Sequence, residues 1–198
     1  MSIAHVKVTG LDQARLVALV EPVLLAHDAD AVELIWKTDT AGWILSLTVE
    51  RKGAKLPGEG ATLELCADLS RELSRVLDQE ELISIAYRLE VGSPGLERAL
   101  YTRDDFRRFE GWLAKAKLNR PIGDLNLVRG KIVGLGVDDN VVFETETGTV
   151  SVPYETIEAS RLVFDWNNPH VLGGAKAKSP KSRSSERDRR NRASKRKR

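Results

Sequence analysis

The sequence predicts an α+β fold in two units, a helix-covered N-terminal sheet followed by a small β-barrel, with a basic tail after them. Three observations carry this expectation. Up to Val91, helical and alternating apolar patterns come in the order helix, hairpin, helix, strand. After Arg103 the chain turns to five short alternating stretches within about 60 residues, with turn residues between them. Charge is also divided along the chain. Residues 173–198 hold 12 Lys or Arg against Glu186 and Asp188, a net of +10, which leaves 19 basic against 27 acidic groups in residues 1–172, a net of −8. The 198 residues are 41% hydrophobic, enough for two small cores.

The first helix is read over residues 12–26, "DQARLVALVEPVLLA", with Asp12 as N-cap and Leu16, Val17, Val20, Val23 and Leu24 on one face. Pro22 removes a backbone donor inside it, so a kink near residues 18–22 is expected. "AVELIWKT" and "WILSLTVE" alternate as a hairpin turning at Thr40-Ala41-Gly42, with Val32, Leu34 and Trp36 sharing one side, and Trp43, Leu45, Leu47 and Val49 likewise. The polar loop "RKGAKLPGEG" leads to a second helix capped by Thr62. Its apolar face is Leu65, Cys66, Leu69, Leu73, Val76 and Leu77, and its charged face, Glu64, Asp68, Arg71, Glu72 and Arg75, reads as solvated or else as a surface for a basic partner. A third strand follows with Ile83, Ile85, Tyr87, Leu89 and Val91 inward. The N-terminal unit is thus a two-helix, three-stranded sheet domain with one face covered, and the other is expected to expose Glu33, Lys37, Ser46, Thr48, Arg88 and Glu90.

"DDFRRFEG" reads as one capped helical turn. The strands after it are "WLAKAKL", "LVRGKIVGL", "VVFETE", "TVSVPY" and "SRLVF", with the loop "NRPIGD", the turn residues Asp138-Asp139-Asn140 and Thr147-Gly148, and a half-turn "YETIE" before the last. Such a set fits an SH3-like or Sm-like barrel, which removes its sheet edges by closing. The boundaries expected are residues 1–100, 101–172 and 173–198. The last segment has no apolar side chain larger than alanine beyond one proline, so it is expected to be disordered. Its cations Lys181, Arg183, Arg187, Arg189, Arg190, Arg192, Lys195, Arg196, Lys197 and Arg198 suit sequence-independent contact with RNA phosphates, or else form a solvated extension.

Between the two units the strand "YRLEVGSPG" breaks into a stiff corner. Pro94 fixes its own φ, Gly95 can take positive φ, and Ser93 can bond nearby backbone. The corner aims "LERAL", so Arg88, Glu90, Ser93, Pro94, Gly95 and Arg98 are the candidate residues, either as an interdomain joint or as a partner contact.

Catalytic and metal patterns find little support. Gly92-Ser93-Pro94-Gly95 is not the Gly-x-Ser-x-Gly of a nucleophile elbow, and His5, His27 and His170 show no orienting pattern around it. Gly134-Leu135-Gly136 lacks the remainder of a dinucleotide fingerprint, and Asp28, Asp30, Asp138 and Asp139 lack calcium-loop spacing. Cys66, the single cysteine, has no partner for an internal disulfide and no zinc spacing, and reads as core. A non-enzymatic protein without cofactor, metal or small-molecule substrate is expected. No apolar run approaches the roughly 20 residues of a membrane span, and the N-terminus lacks a signal-peptide pattern, so no membrane partner and a cytoplasmic location are expected.

The segments "LELCADLSRELSRVLD", "YRLEVGSPGLERAL", "DFRRFEG" and "ASRLVFDW" together resemble the ribosome maturation factor RimP family, in order over about residues 11–166. The resemblance implies an N-terminal α+β domain, a C-terminal SH3-like barrel, and a non-enzymatic role in maturation of the small (30S) ribosomal subunit, with ribosomal RNA and basic ribosomal proteins as partners of a monomer. The acidic body suits an approach to basic proteins. The family pattern is Ser-Ser-Pro-Gly where this chain has Gly92, which is expected to loosen the corner slightly, and the basic tail lies outside the family pattern. The competing expectation is a general RNA-binding module using the barrel and tail. Against it, Trp36, Trp43, Tyr87 and Phe143 fall on expected core faces rather than on a stacking platform, leaving Trp112 and Trp166 as candidates for exposure.

Overall fold

A computed structural model describes residues 3–164. Its N-terminal unit is built from β1 (Ile3–Lys7), α1 (Gln13–Ala26), β2 (Ala29–Asp39), β3 (Gly42–Arg51), α2 (Leu63–Gln79) and β4 (Tyr87–Gly92). The sheet has four strands, not three, in the order β1-β2-β3-β4: β1 is parallel to β2, β2 and β3 form the expected hairpin, and β4 is parallel to β3. The extra strand "IAHVK" is only five residues long and has no turn signal beside it. It is held at the edge by the α1 crossover, a nonlocal pairing that a period-2 pattern does not reveal.

Both helix starts follow from their caps. Asp12 accepts from the Arg15 N–H at 3.0 Å, and the Thr62 hydroxyl accepts from the Leu65 N–H at 3.2 Å, each satisfying a first-turn donor. α1 continues through Pro22. The helices are tied to each other where Arg15 meets Glu80 at 3.1 Å and His27 Nε2 lies 2.7 Å from Glu72. Leu16, Val20, Leu24, Leu69, Leu73 and Leu77 close on Leu34, Leu45, Leu47 and Val49 of the sheet, and each such buried side chain contributes about 1.5–3 kcal/mol.

Two local expectations are corrected. A bulge between Ala31 and Glu33 shifts the register, so Ala29 and Ala31 join Leu34 and Trp36 in this core while Val32 is buried outside it. The third expected strand begins at Tyr87 rather than Ile83, leaving Ile85 exposed.

The second unit comprises α3 (Arg103–Arg108), β5 (Leu113–Ile122), β6 (Leu125–Leu135), β7 (Asn140–Thr145), β8 (Gly148–Pro153) and β9 (Ile157–Leu162), with single 3₁₀ turns before β7 and β9. Its five strands form one sheet in the order β8-β7-β6-β5-β9. The expected barrel closure is not seen: among the described residues no ladder joins β8 to β9. The expected "NRPIGD" loop is also shorter than read, since β5 runs to Ile122. Its pairing with β6 lapses between Lys117 and Ile122, where Pro121 has no N–H to give. Phe106 and Phe109 from the α3 region pack with Phe143, Ile132, Val141, Val152 and Leu162 in the second core. Leu100 already belongs to that core, and Ala99 bridges to Arg161 of β9.

Candidate functional site

The corner has the geometry its residues dictate. Gly95 sits at φ +67°, a region a Cβ disfavours, and its N–H donates to Ser93 Oγ at 3.2 Å. The loop between β3 and α2 lies against it: a Cβ on Gly58 would come within 2.5 Å of Ser93 Oγ. Gly92, by contrast, is the last residue of β4, paired with Thr48, with nothing within 4 Å of where a Cβ would stand. The loosening expected from Gly92 therefore has no basis in the corner's geometry, because the turn begins after it.

Beyond the corner, Arg98 turns inward. It is 3% exposed and forks onto Glu50 of β3, with Nε at 3.1 Å from Oε2 and Nη2 at 3.0 Å from Oε1. Its third nitrogen, Nη1, lies 2.7 Å from Asp105 Oδ1 and donates to the Ala99 carbonyl at 2.9 Å. Glu50, 2% exposed, also receives Arg108 Nη1 at 2.6 Å. Both guanidinium groups lie over the Phe109 ring, at 5.2 and 4.7 Å from its centroid. Two cations and two anions thus balance in a site joining β3, the interdomain segment and α3, with Arg98, Glu50 and Asp105 buried and Arg108 at its rim. Planar forks of this kind fix orientation as well as charge.

Asp105 does double duty. Its Oδ2 accepts from the Tyr101 and Thr102 N–H groups at 2.9 and 2.8 Å, while the Thr102 hydroxyl accepts from the Asp105 N–H, completing a capping box that starts α3. Tyr101 provides a second tie. Its hydroxyl donates to Glu33 of β2, its ring stacks on His5 of β1 at 4.2 Å, and its carbonyl accepts from the Tyr154 hydroxyl. Burial first, and then the Glu33 carboxylate, push the Tyr101 hydroxyl far above its ordinary pKa.

The expected candidates therefore divide. Arg98 lies inside the charged joint, whereas Arg88 and Glu90 stand on exposed β4, where Arg88 pairs with Asp39 and passes 3.9 Å from Glu90. Backbone hydrogen bonding by Ala41, together with Arg88, holds the Asp39 carboxyl below its ordinary range. The tail cations from Lys181 to Arg198 lie outside the described residues, as does Trp166.

Sequence reasoning missed Glu33, Glu50, Tyr101, Asp105 and Arg108 as members of the joint. Thr102-Arg103-Asp104-Asp105 carried the capping signal, but nothing local marked Glu50. The alternation of β3 places it on the face read as open, and that face is partly covered, burying Glu50 and Ile44. Among the aromatics, Trp36 and Phe143 are buried as expected. Trp43 is corrected: it is 39% exposed, stacked on Trp36 at 4.9 Å. Among the described residues no group of three or more His, Cys, Asp or Glu could hold a metal ion, and no helix is long and apolar enough to cross a membrane.

A charge-locked joint therefore ties the α+β unit to the five-stranded sheet. Residues 19–97 match the RimP N-terminal domain, running from within α1 to the residue before Arg98. The match supports the RimP family for this chain, a family of ribosome maturation factors that is not a known enzyme family.

Proposed function

We propose that this protein is a non-enzymatic, cytoplasmic factor that binds the immature small ribosomal subunit and favours one productive arrangement of its RNA and proteins. The observation that carries the reading is the RimP N-terminal domain match, which covers the α+β unit from within α1 through β4. Residues 1–100 hold 16 acidic against 10 basic side chains, so this unit is the face suited to basic ribosomal proteins, where complementary charge speeds and orients the encounter. The joint at Arg98 supports a scaffold role for the corner. By holding the second unit against the first, it presents both to one particle, and Arg88 and Glu90 are left on the surface for contact. The protein acts as a monomer in this reading.

The test is cosedimentation of the purified chain with small subunits taken before and after maturation. Enrichment on the immature particles is expected. Equal recovery on both, or recovery spread over unrelated RNA, would set the reading aside in favour of a general RNA binder.

A further inference from the structure

The outward face of the five-stranded sheet carries like charges where strand pairing makes them immediate neighbours. Lys115 of β5 stands directly opposite Arg129 of β6 on one side and Arg161 of β9 on the other. Three cations therefore lie in one row across three adjacent strands, spanning roughly 10 Å. Directly opposed side chains of antiparallel strands have their Cβ atoms about 4.5–5.5 Å apart, close enough for like charges to destabilise the pairing. Folding alone gives no reason for this row.

Its neighbours show what an ordinary arrangement looks like. Lys117 holds Glu158 at 2.7 Å, and Lys131 stands opposite Glu144 in the register. Among the described residues Lys115, Arg129 and Arg161 make no ion pair. Arg129 and Arg161 are exposed and Lys115 half-buried, at the edge of a hollow of about 150 Å³ lined by Tyr101, Lys115, Leu127 and Arg161. The row is conspicuous in a body of net charge −8.

We propose that Lys115, Arg129 and Arg161 form a binding site for the phosphate backbone of RNA. A nucleic-acid strand supplies negative charges at a regular close spacing, which matches a straight row of unpaired cations better than scattered carboxylates of a protein surface do. The outward residues of β6 on either side of Arg129 are Leu127, 54% exposed, and Lys131, so this strand offers no aromatic platform for bases. It positions a backbone and reads no sequence. The identity of that RNA as ribosomal rests on the function proposed above, whereas binding to phosphate does not.

The test uses the full chain, parent and the triple variant K115Q/R129Q/R161Q, with a 12-nucleotide single-stranded RNA across a salt series. Because both proteins carry the basic tail, their difference isolates the row. Loss of three phosphate contacts should lower the slope of log K against log salt by about 2 and weaken binding at low salt. The single variant Lys115→Gln guards against misfolding: its Tm at low salt should equal or exceed the parent's, since it removes two like-charge contacts, while its RNA affinity drops. Unchanged slope in the triple variant, or a lower Tm for Lys115→Gln, overturns the proposal. So does a polyglutamate of equal charge whose binding falls from parent to triple variant as much as that of RNA, which would assign the row to an acidic protein. Loss of preference for immature subunits with the RNA slope intact would instead refute the maturation role and leave the row standing.

Discussion

Arg98 is where most of the joint's energetics converge. Replacing it with alanine leaves the buried Asp105 without its cation and the buried Glu50 with only the partly exposed Arg108. Breaking a buried pair by removing one partner costs about 3–5 kcal/mol, so Arg98→Ala should shift the urea midpoint by that equivalent. Arg98→Lys should recover only part of it, because an ammonium cannot fork onto Glu50. A second residue-scale consequence concerns high pH. Tyr87, Tyr101 and Tyr154 are all shifted upward, chiefly by burial. A group whose folded pKa lies above its unfolded value stabilises the fold fully below the unfolded value, about 10 for tyrosine, and loses that contribution as pH rises beyond it. Stability should therefore fall above about pH 10, and Tyr101→Phe should make the decline shallower, read as urea midpoints measured from pH 8 to 11. Arg98 could be singled out from the sequence because it follows a stiff corner. Glu50 could not, since its strand pattern says only which face it is on and the cover on that face comes from residues about fifty positions away.

At the scale of elements, the corner and the strand before it make opposite demands on glycine. Gly95→Ala forces a Cβ into the left-handed region and should cost about 1–2 kcal/mol, whereas Gly92→Ser, in the extended ladder with open space around it, should leave stability within error. Thermal unfolding of the two variants distinguishes them directly. The double change Pro94→Ala, Gly95→Ala should also weaken association with immature small subunits while both cores stay folded, and undiminished binding would reduce the corner to a plain connection. Elements with local signals were legible: the capped helices, the β2-β3 hairpin and the α3 turn announce themselves through Asp12, Thr62, Thr102 and the alternation on either side of Gly42. What escaped was nonlocal. β1 exists because α1 returns the chain beside it, and the bulge at Val32 and the lapse before Pro121 are decisions of pairing rather than of period.

For the molecule as a whole, two cores are coupled through a charge network that neither contains alone. The parent should unfold in one transition, seen alike by probes in each unit, and Arg98→Ala should separate the two transitions in calorimetry. Removal of residues 173–198 takes away a net of +10 and should leave the calorimetric transition in place. If those cations contact phosphate, the truncated chain should bind RNA less tightly and with a shallower salt dependence, and parallel salt slopes for the two forms would assign them to solvation alone. The order helix, hairpin, helix, strand and then strands could be read at this scale because each unit has its own hydrophobic period. The open sheet in place of a closed barrel could not, because closure depends on whether two distant edges meet.

The Trp36–Trp43 stack has an optical consequence. Two indoles 4.9 Å apart and 10° from parallel couple their electronic transitions, so the N-terminal unit carries a chromophore pair that Trp112, alone in the described part of the second unit, does not duplicate. The coupled Trp36–Trp43 band in circular dichroism then reports on the first unit, whereas Trp112, packed edge-on against Phe109, contributes an uncoupled signal. Because Trp43 lies at the margin of the core, Trp43→Phe should erase the coupled band with little change in folding, giving a silent reference for following one half of the molecule as the free chain unfolds.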